Sequence, residues 1–214
     1  KLDSEIVLGS DSIKGRFSVY NPNFRNTDKS LKFSLEASEL DNYKTYGYKS
    51  NKTGFTIGTD FEYYDDFYLG LGTSNFIEKI DTNSTASAQQ QSQQGDYWDS
   101  FLKLDFTYDK RNQKFQTSSG FISKYIIDMP IISDTNTLKN YIDHSYYFDL
   151  FEKNVTSLSF YFESANSLNN KNVKLSERIN LPARKLRGFQ LGRVGPKDGD
   201  DFIGGNFAYS LNFS

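Results

Sequence analysis

The chain has 214 residues, a formal net charge of −2, no cysteine and a single histidine, and 16% of it is aromatic with 15 Tyr and 19 Phe. That length suits one all-β domain of barrel or sandwich size, the near-neutral charge gives no polyanion-binding signal and so sets nucleic acid aside, and the lack of cysteine excludes disulfides and thiolate metal sites. No run reaches the roughly 18 apolar residues of a membrane-spanning helix and Lys1 opens no signal-peptide pattern, so this chain crosses a bilayer as strands if it crosses one at all.

Residues 2–9 and 13–20 flank a Ser10-Asp11-Ser12 break, the shape of a short hairpin, and Asn21-Pro22-Asn23 stops the second strand. Over 31–38, Leu31, Phe33, Leu35 and Ala37 alternate without error against Lys32, Ser34, Glu36 and Ser38, a strand with one oily and one wet face. The pair 46–62 and 67–80 meets at a tight turn over 63–66, and Phe55, Ile57, Phe61 and Tyr63 alternate there with Gly54, Gly58, Asp60 and Glu62. Glycine weakens a water-facing strand but suits a crowded polar interior. The polar low-complexity tract between Thr82 and Asp96 offers nothing to bury and predicts a mobile loop.

Further strands are predicted over 98–109, 120–132, 141–151, 155–163 and 207–213, with Lys153-Asn154 as a short turn and a long insertion over 166–206. The strands run to about ten residues or more, close to a tilted transmembrane strand. Turns sort into short (23–29, 63–66, 153–154) and long (40–45, 82–96, 166–206), and aromatics crowd strand ends at Tyr63-Tyr64, Tyr97-Trp98 and Tyr146-Tyr147-Phe148, as interfacial girdles do. The fold class expected is all-β, an antiparallel up-and-down transmembrane barrel of about ten strands with a long plug loop. A soluble β-sandwich binding glycan shares the alternation without explaining the loop lengths.

The insertion contains Leu186 to Asn206, LRGFQLGRVGPKDGDDFIGGN, whose six glycines and one proline predict irregular backbone with special dihedrals, and whose Phe189, Leu191 and Val194 predict an ordered loop packed against something. A guanidinium at Arg187 folded into a lumen needs a carboxylate or an aromatic face as partner, and the acids in interior phase are Glu163, Asp149, Asp105 and Asp60. The alternative is an exposed loop arginine. His144 falls in phase with Ile142 and Tyr146, which predicts a packing or interfacial residue. Asp198, Asp200 and Asp201 around Gly199 lack the ligand spacing of a calcium loop, so no metal is expected. The Asn51, Asn83 and Asn154 sequons are triplets that recur by chance in an Asn-rich chain, and no nucleophile stands with a base, so no enzyme and no cofactor are expected.

Arg187-Gly188-Phe189, then Gly195-Pro196, then Gly204-Gly205-Asn206 leading into a strand, resembles the sixth extracellular loop of the BamA family of bacterial outer-membrane protein assembly factors. Phe17 to Phe24, ending in Asn21-Pro22-Asn23-Phe24, and Tyr108-Asp109-Lys110-Arg111 through Phe115 to Gly120 are similar to two of its turns. The resemblance covers essentially the whole chain. It implies a sixteen-stranded barrel of which residues 1–214 form one partial barrel domain, about the third strand to the twelfth, without POTRA domains, and with loop 166–206 inserted in the lumen. Its implied function is folding and insertion of β-barrel proteins into the bacterial outer membrane. The implied partners are unfolded outer-membrane protein clients, accessory outer-membrane lipoproteins and the lipid bilayer. In that family the acids paired with the loop arginine lie in later strands, and the glycines that precede the triplet are replaced here by Leu181-Pro182-Ala183-Arg184. The competing reading is a passive porin or a related two-partner secretion barrel.

Overall fold

The computed structural model describes residues 1–9, 12–151, 154–190 and 192–214, apart from the side chains of residues 42 and 45. The predicted break at Ser10-Asp11, Lys153 of the predicted turn, and Leu191 lie outside the described residues. The strands are β1 (Leu2–Leu8), β2 (Ser12–Asn21), β3 (Leu31–Asn42), β4 (Tyr48–Tyr64), β5 (Phe67–Thr82), β6 (Gly95–Asp109), β7 (Gly120–Ser133), β8 (Thr137–Phe151) and β9 (Asn154–Ser167). A short hairpin of β10 (Lys197–Asp198) and β11 (Asp201–Phe202) precedes β12 (Phe207–Phe213). Two one-turn helices, α1 (Tyr43–Tyr46) and α2 (Ala88–Gln91), sit in connections.

Ten strands form one antiparallel sheet in the order β1 to β9 and then β12, so every strand but the last pairs with its chain neighbour. This is the expected up-and-down meander. Its ends, β1 and β12, do not pair with each other. From β4 to β9 the strands run 14 to 17 residues, longer than the roughly 9–11 that cross a bilayer at a tilt, so each projects past the apolar layer.

The period-two pattern becomes two unlike faces. On one stand Leu35, Phe55, Ile57, Leu71, Ile77, Trp98, Tyr125, Tyr146, Leu158, Phe160 and Leu211, all exposed. A sandwich would bury such a face under a second layer, and among the described residues no second sheet covers it. The other face carries small, polar and charged side chains. Gly54 shows why: a Cβ there would run into the Asn75 carbonyl and the Phe76 ring. Phe76 lies across the gap, with Lys52 Nζ 4.2 Å from its centroid.

The buried apolar groups gather at one end of the polar face. Tyr48, Ile80 and Leu175 make one cluster, and Ala165, Val173 and Ile179 another. Each joins strand residues to the segment 168–206, which starts later than expected because β9 continues through Ser167.

Two sequence expectations change. The sorting of loop lengths is loose: the ten-residue connection 110–119 lies at the end of the short turns, and the three-residue turn 134–136 at the end of the long ones. The tract 83–94, expected to be mobile, is folded. Ser87 and Gln90 form a capping box on α2, the Gln90 side chain is 1% exposed and donates to the Tyr46 carbonyl at 2.9 Å, and Gln93 is buried. Glutamine amides carry two donors and an acceptor, so a tract with little apolar surface is held by hydrogen bonds.

Candidate functional site

The long segment divides into a buried root and an exposed tip. Val173, Lys174, Leu175, Glu177 and Ile179 at the root are all buried, whereas Arg187, Gly188, Phe189, Gly195 and Pro196 are exposed. Five of the six predicted glycines, 188, 192, 195, 199 and 204, take positive φ, as their density led us to expect. At Gly192, with φ +71°, a Cβ would collide with the Tyr46 phenol, so this turn closes only on glycine.

Lys174 is the centre of the root. Its Nζ lies 2.8 Å from Glu78 Oε2 on β5, pairs with Asp99 on β6, and is 4.0 Å from Glu177 of its own segment; its side chain is 2% exposed. The acids are further held: Ser50 (2.5 Å) and Ser176 (2.9 Å) donate to Glu78, Ser133 (2.5 Å) to Asp99, and Thr135 (3.2 Å) to Glu177. Lys139 of β8 adds a second cation, 2.9 Å from Glu177 Oε1. Burial draws the Lys174 pKa down, but the charges of Glu78, Glu177 and Asp99 outweigh it and hold it above the ordinary lysine range. A desolvated ammonium persists where several carboxylates surround it and their remaining lone pairs are filled.

Backbone contacts complete the root. Leu175 N–H donates to Gln93 Oε1 at 2.9 Å, and the Tyr48 hydroxyl donates to the Leu175 carbonyl at 3.4 Å. Gly205 forms an antiparallel bridge with Ile179, and the Asn206 carbonyl accepts from Ala165 N–H at 2.7 Å. Gly204, Gly205 and Asn206 therefore belong to the root. Nearer the tip, Lys185 Nζ lies 2.7 Å from Asp143 Oδ1 and 5.3 Å from the Tyr161 ring centroid. Asp198 of the β10–β11 hairpin accepts from Ser87, tying the tip side to α2.

Arg187 stands two residues beyond Lys185 and, among the described residues, forms no hydrogen bond or ion pair. Of the four acids expected to face it, Glu163 accepts from Tyr161, and Asp105 pairs with Lys124 at 3.1 Å and accepts from Thr107 at 3.0 Å. Asp60 and Asp149 are exposed. Among the described residues, the cations of the long segment that pair with wall carboxylates are Lys174 and Lys185. The sequence carried a signal for the first, a lone lysine between Val173 and Leu175 in a polar stretch; its partners, 96 and 75 residues earlier in the chain, leave none. His144 packs as expected, 5.9 Å from the Phe121 ring, with Nδ1 2.7 Å from Ser123 Oγ. Asn51 and Asn154 stand within β4 and β9, and Asn83 in the connection before α2.

A crystal structure of BamA from Haemophilus ducreyi lacking POTRA domains 1-3 superposes on 99% of this chain with a TM-score of 0.85 at 18% identity; the chain spans 46% of that chain's length. At that identity the likeness shows the fold. No curated protein matches the sequence. The model of the Omp85 superfamily domain matches residues 1–213, and the chain belongs to that superfamily of non-enzymatic bacterial outer-membrane β-barrels.

Proposed function

We propose that this chain is the wall and plug of an insertase that folds β-barrel proteins into the bacterial outer membrane. In this reading residues 1–214 form one partial barrel domain and segment 168–206 lies in the lumen. The clients are unfolded outer-membrane proteins, accessory outer-membrane lipoproteins assist, and lipid is the solvent of the apolar face. The observation that carries the reading is the order Arg187-Gly188-Phe189, Gly195-Pro196, Gly204-Gly205-Asn206 on a segment rooted at the polar face, with the Arg187 guanidinium unpaired among the described residues. An unpaired strand edge costs several kcal/mol in lipid, so an insertase offers its client a template edge. A rigid wall with a fixed plug keeps that edge in register.

Arg187→Ala in the full protein tests the reading. Removing the guanidinium before it can make a charge-assisted hydrogen bond in the complete barrel slows assembly of other barrels by roughly tenfold, while single-channel conductance stays the same or rises. Unchanged client assembly would remove the loop from the mechanism. One observation favours the second reading, a passive pore: a cavity of about 540 Å³ on the polar face is lined by Lys32, Asp60, Lys103, Asp105 and Lys124. Conductance selective for one class of solute would support it.

A further inference from the structure

We propose that Lys174 is the positioning residue of the plug segment, an ionic latch that fastens the segment's root to β5 and β6 and leaves its tip exposed. Glu78 and Asp99 come from neighbouring strands in diagonal register, Phe76 pairing with Asp99 and Glu78 with Tyr97. With Lys174 between them they are joined by one buried cation. If the root lifts, two carboxylates remain in a site built for three charges and one ammonium, which is the costly outcome for a buried ion pair that loses a partner.

Among the described residues the Arg187-Gly188-Phe189 tip forms no ion pair with the wall, and on its far side Asp198 meets only the Ser87 hydroxyl. Phe189 is 61% exposed and Arg187 is exposed, whereas Lys174 and Leu175 are almost fully enclosed. Lys185 on Asp143 is the last ion pair before the triplet. The Lys174 cluster is also coupled to the rest of the loop end, because Gln93 holds the next residue's amide and Thr135 holds Glu177. The segment is thus a fixed stalk carrying a short presented tip, and the tip keeps its depth over the polar face without the whole loop moving. That positional claim stands by itself; its bearing on client assembly rests on the function proposed above.

The test uses Ala165, which is 0% exposed under Val173 and Ile179 of the root, in a chain that contains no cysteine. Ala165→Cys places a thiol where only release of the root admits a hydrophilic maleimide. In the full protein in outer-membrane vesicles, Lys174→Met raises the alkylation rate by about a hundredfold, since labelling follows the opening equilibrium. Lys174→Glu alone does the same, and Glu78→Lys combined with Lys174→Glu restores slow labelling, a rescue that a purely space-filling role would not give. An increase below about threefold for Lys174→Met, or a double variant as fast as Lys174→Glu alone, overturns the latch. If Lys174→Met gives no heat-modifiable folded band, the charge exchange decides: folded and slow supports the latch, unfolded or fast overturns it. Client assembly is read in parallel. Fast alkylation with normal assembly keeps the latch and discards the insertase role of the loop, while fast alkylation with slowed assembly supports both.

Discussion

Gly54 and Gly15 are both strand glycines, yet their surroundings give opposite expectations for the same kind of change. At Gly54 a side chain meets the Asn75 carbonyl and Phe76, and backbone cannot yield. Gly54→Val lowers the stability of the barrel by about 1–3 kcal/mol through overpacking, despite the strand propensity of valine, and the midpoint of urea unfolding shifts down. At Gly15 the nearest atom to a new Cβ is the Ala37 carbonyl oxygen at 3.9 Å, an ordinary contact. Gly15→Ala therefore raises stability by about 0.5–1 kcal/mol by restricting the unfolded chain; a lowered midpoint there would show that β1–β3 is under strain unseen in the contacts. The same dependence on surroundings separates the two loop cations. Arg187 stands in a conspicuous glycine-flanked triplet and meets no acid among the described residues, whereas Lys174, in an unremarkable Val-Lys-Leu, meets three.

The ordered tract 83–94 shows what an element can hide from its own sequence. α2 has one turn, too short to hold itself, and it is kept by Gln90 reaching the Tyr46 carbonyl and by Ser87 reaching both Gln90 N–H and Asp198. Gln90→Ala leaves that carbonyl without its donor at a cost of about 1–3 kcal/mol, and proteinase K cuts the tract roughly tenfold faster, since cleavage follows the open population. Gln89→Ala, at an exposed neighbour, leaves the rate unchanged. Equal protection in the Gln90 variant would mean that Ser87, through Gln90 N–H and Asp198, suffices. The strands were legible because period-two alternation is written locally: β12 was expected at its observed bounds, and β6 and β9 in their observed phases. Their extensions to Gly95 and Ser167 were not, because the residues there are chosen by contact with the plug segment rather than by alternation. The low-complexity reading of 83–94 failed for the same reason. Polarity predicts nothing to bury, but an amide buried against a carbonyl 44 residues away leaves no local trace.

At the scale of the molecule the sheet sorts its side chains in the reverse sense of a soluble protein, with large apolar groups outermost and ions enclosed. A membrane barrel requires this, because lipid rewards the first and the loop-covered polar face accommodates the second. The sorting assigns opposite consequences to one kind of substitution on neighbouring strands. Leu102 lies at the middle of β6, on the face of Trp98, Leu104 and Tyr108, so Leu102→Arg places a cation at mid-depth in hydrocarbon and costs about 2–4 kcal/mol. Ser74 of β5 lies on the opposite face, at the cavity lined by Lys32 and Asp60, and Ser74→Arg there meets water and acids and changes stability by no more than about 0.5 kcal/mol. Folding of the full protein into lipid vesicles, followed by the heat-modifiable gel shift, separates the two. The Leu102 variant loses its folded band at lower urea and more severely in thicker bilayers, where snorkelling to the interface is longer, while the Ser74 variant follows the parent in both. Equal loss in the two variants would mean that both faces are packed alike, and that the oily face meets protein rather than lipid.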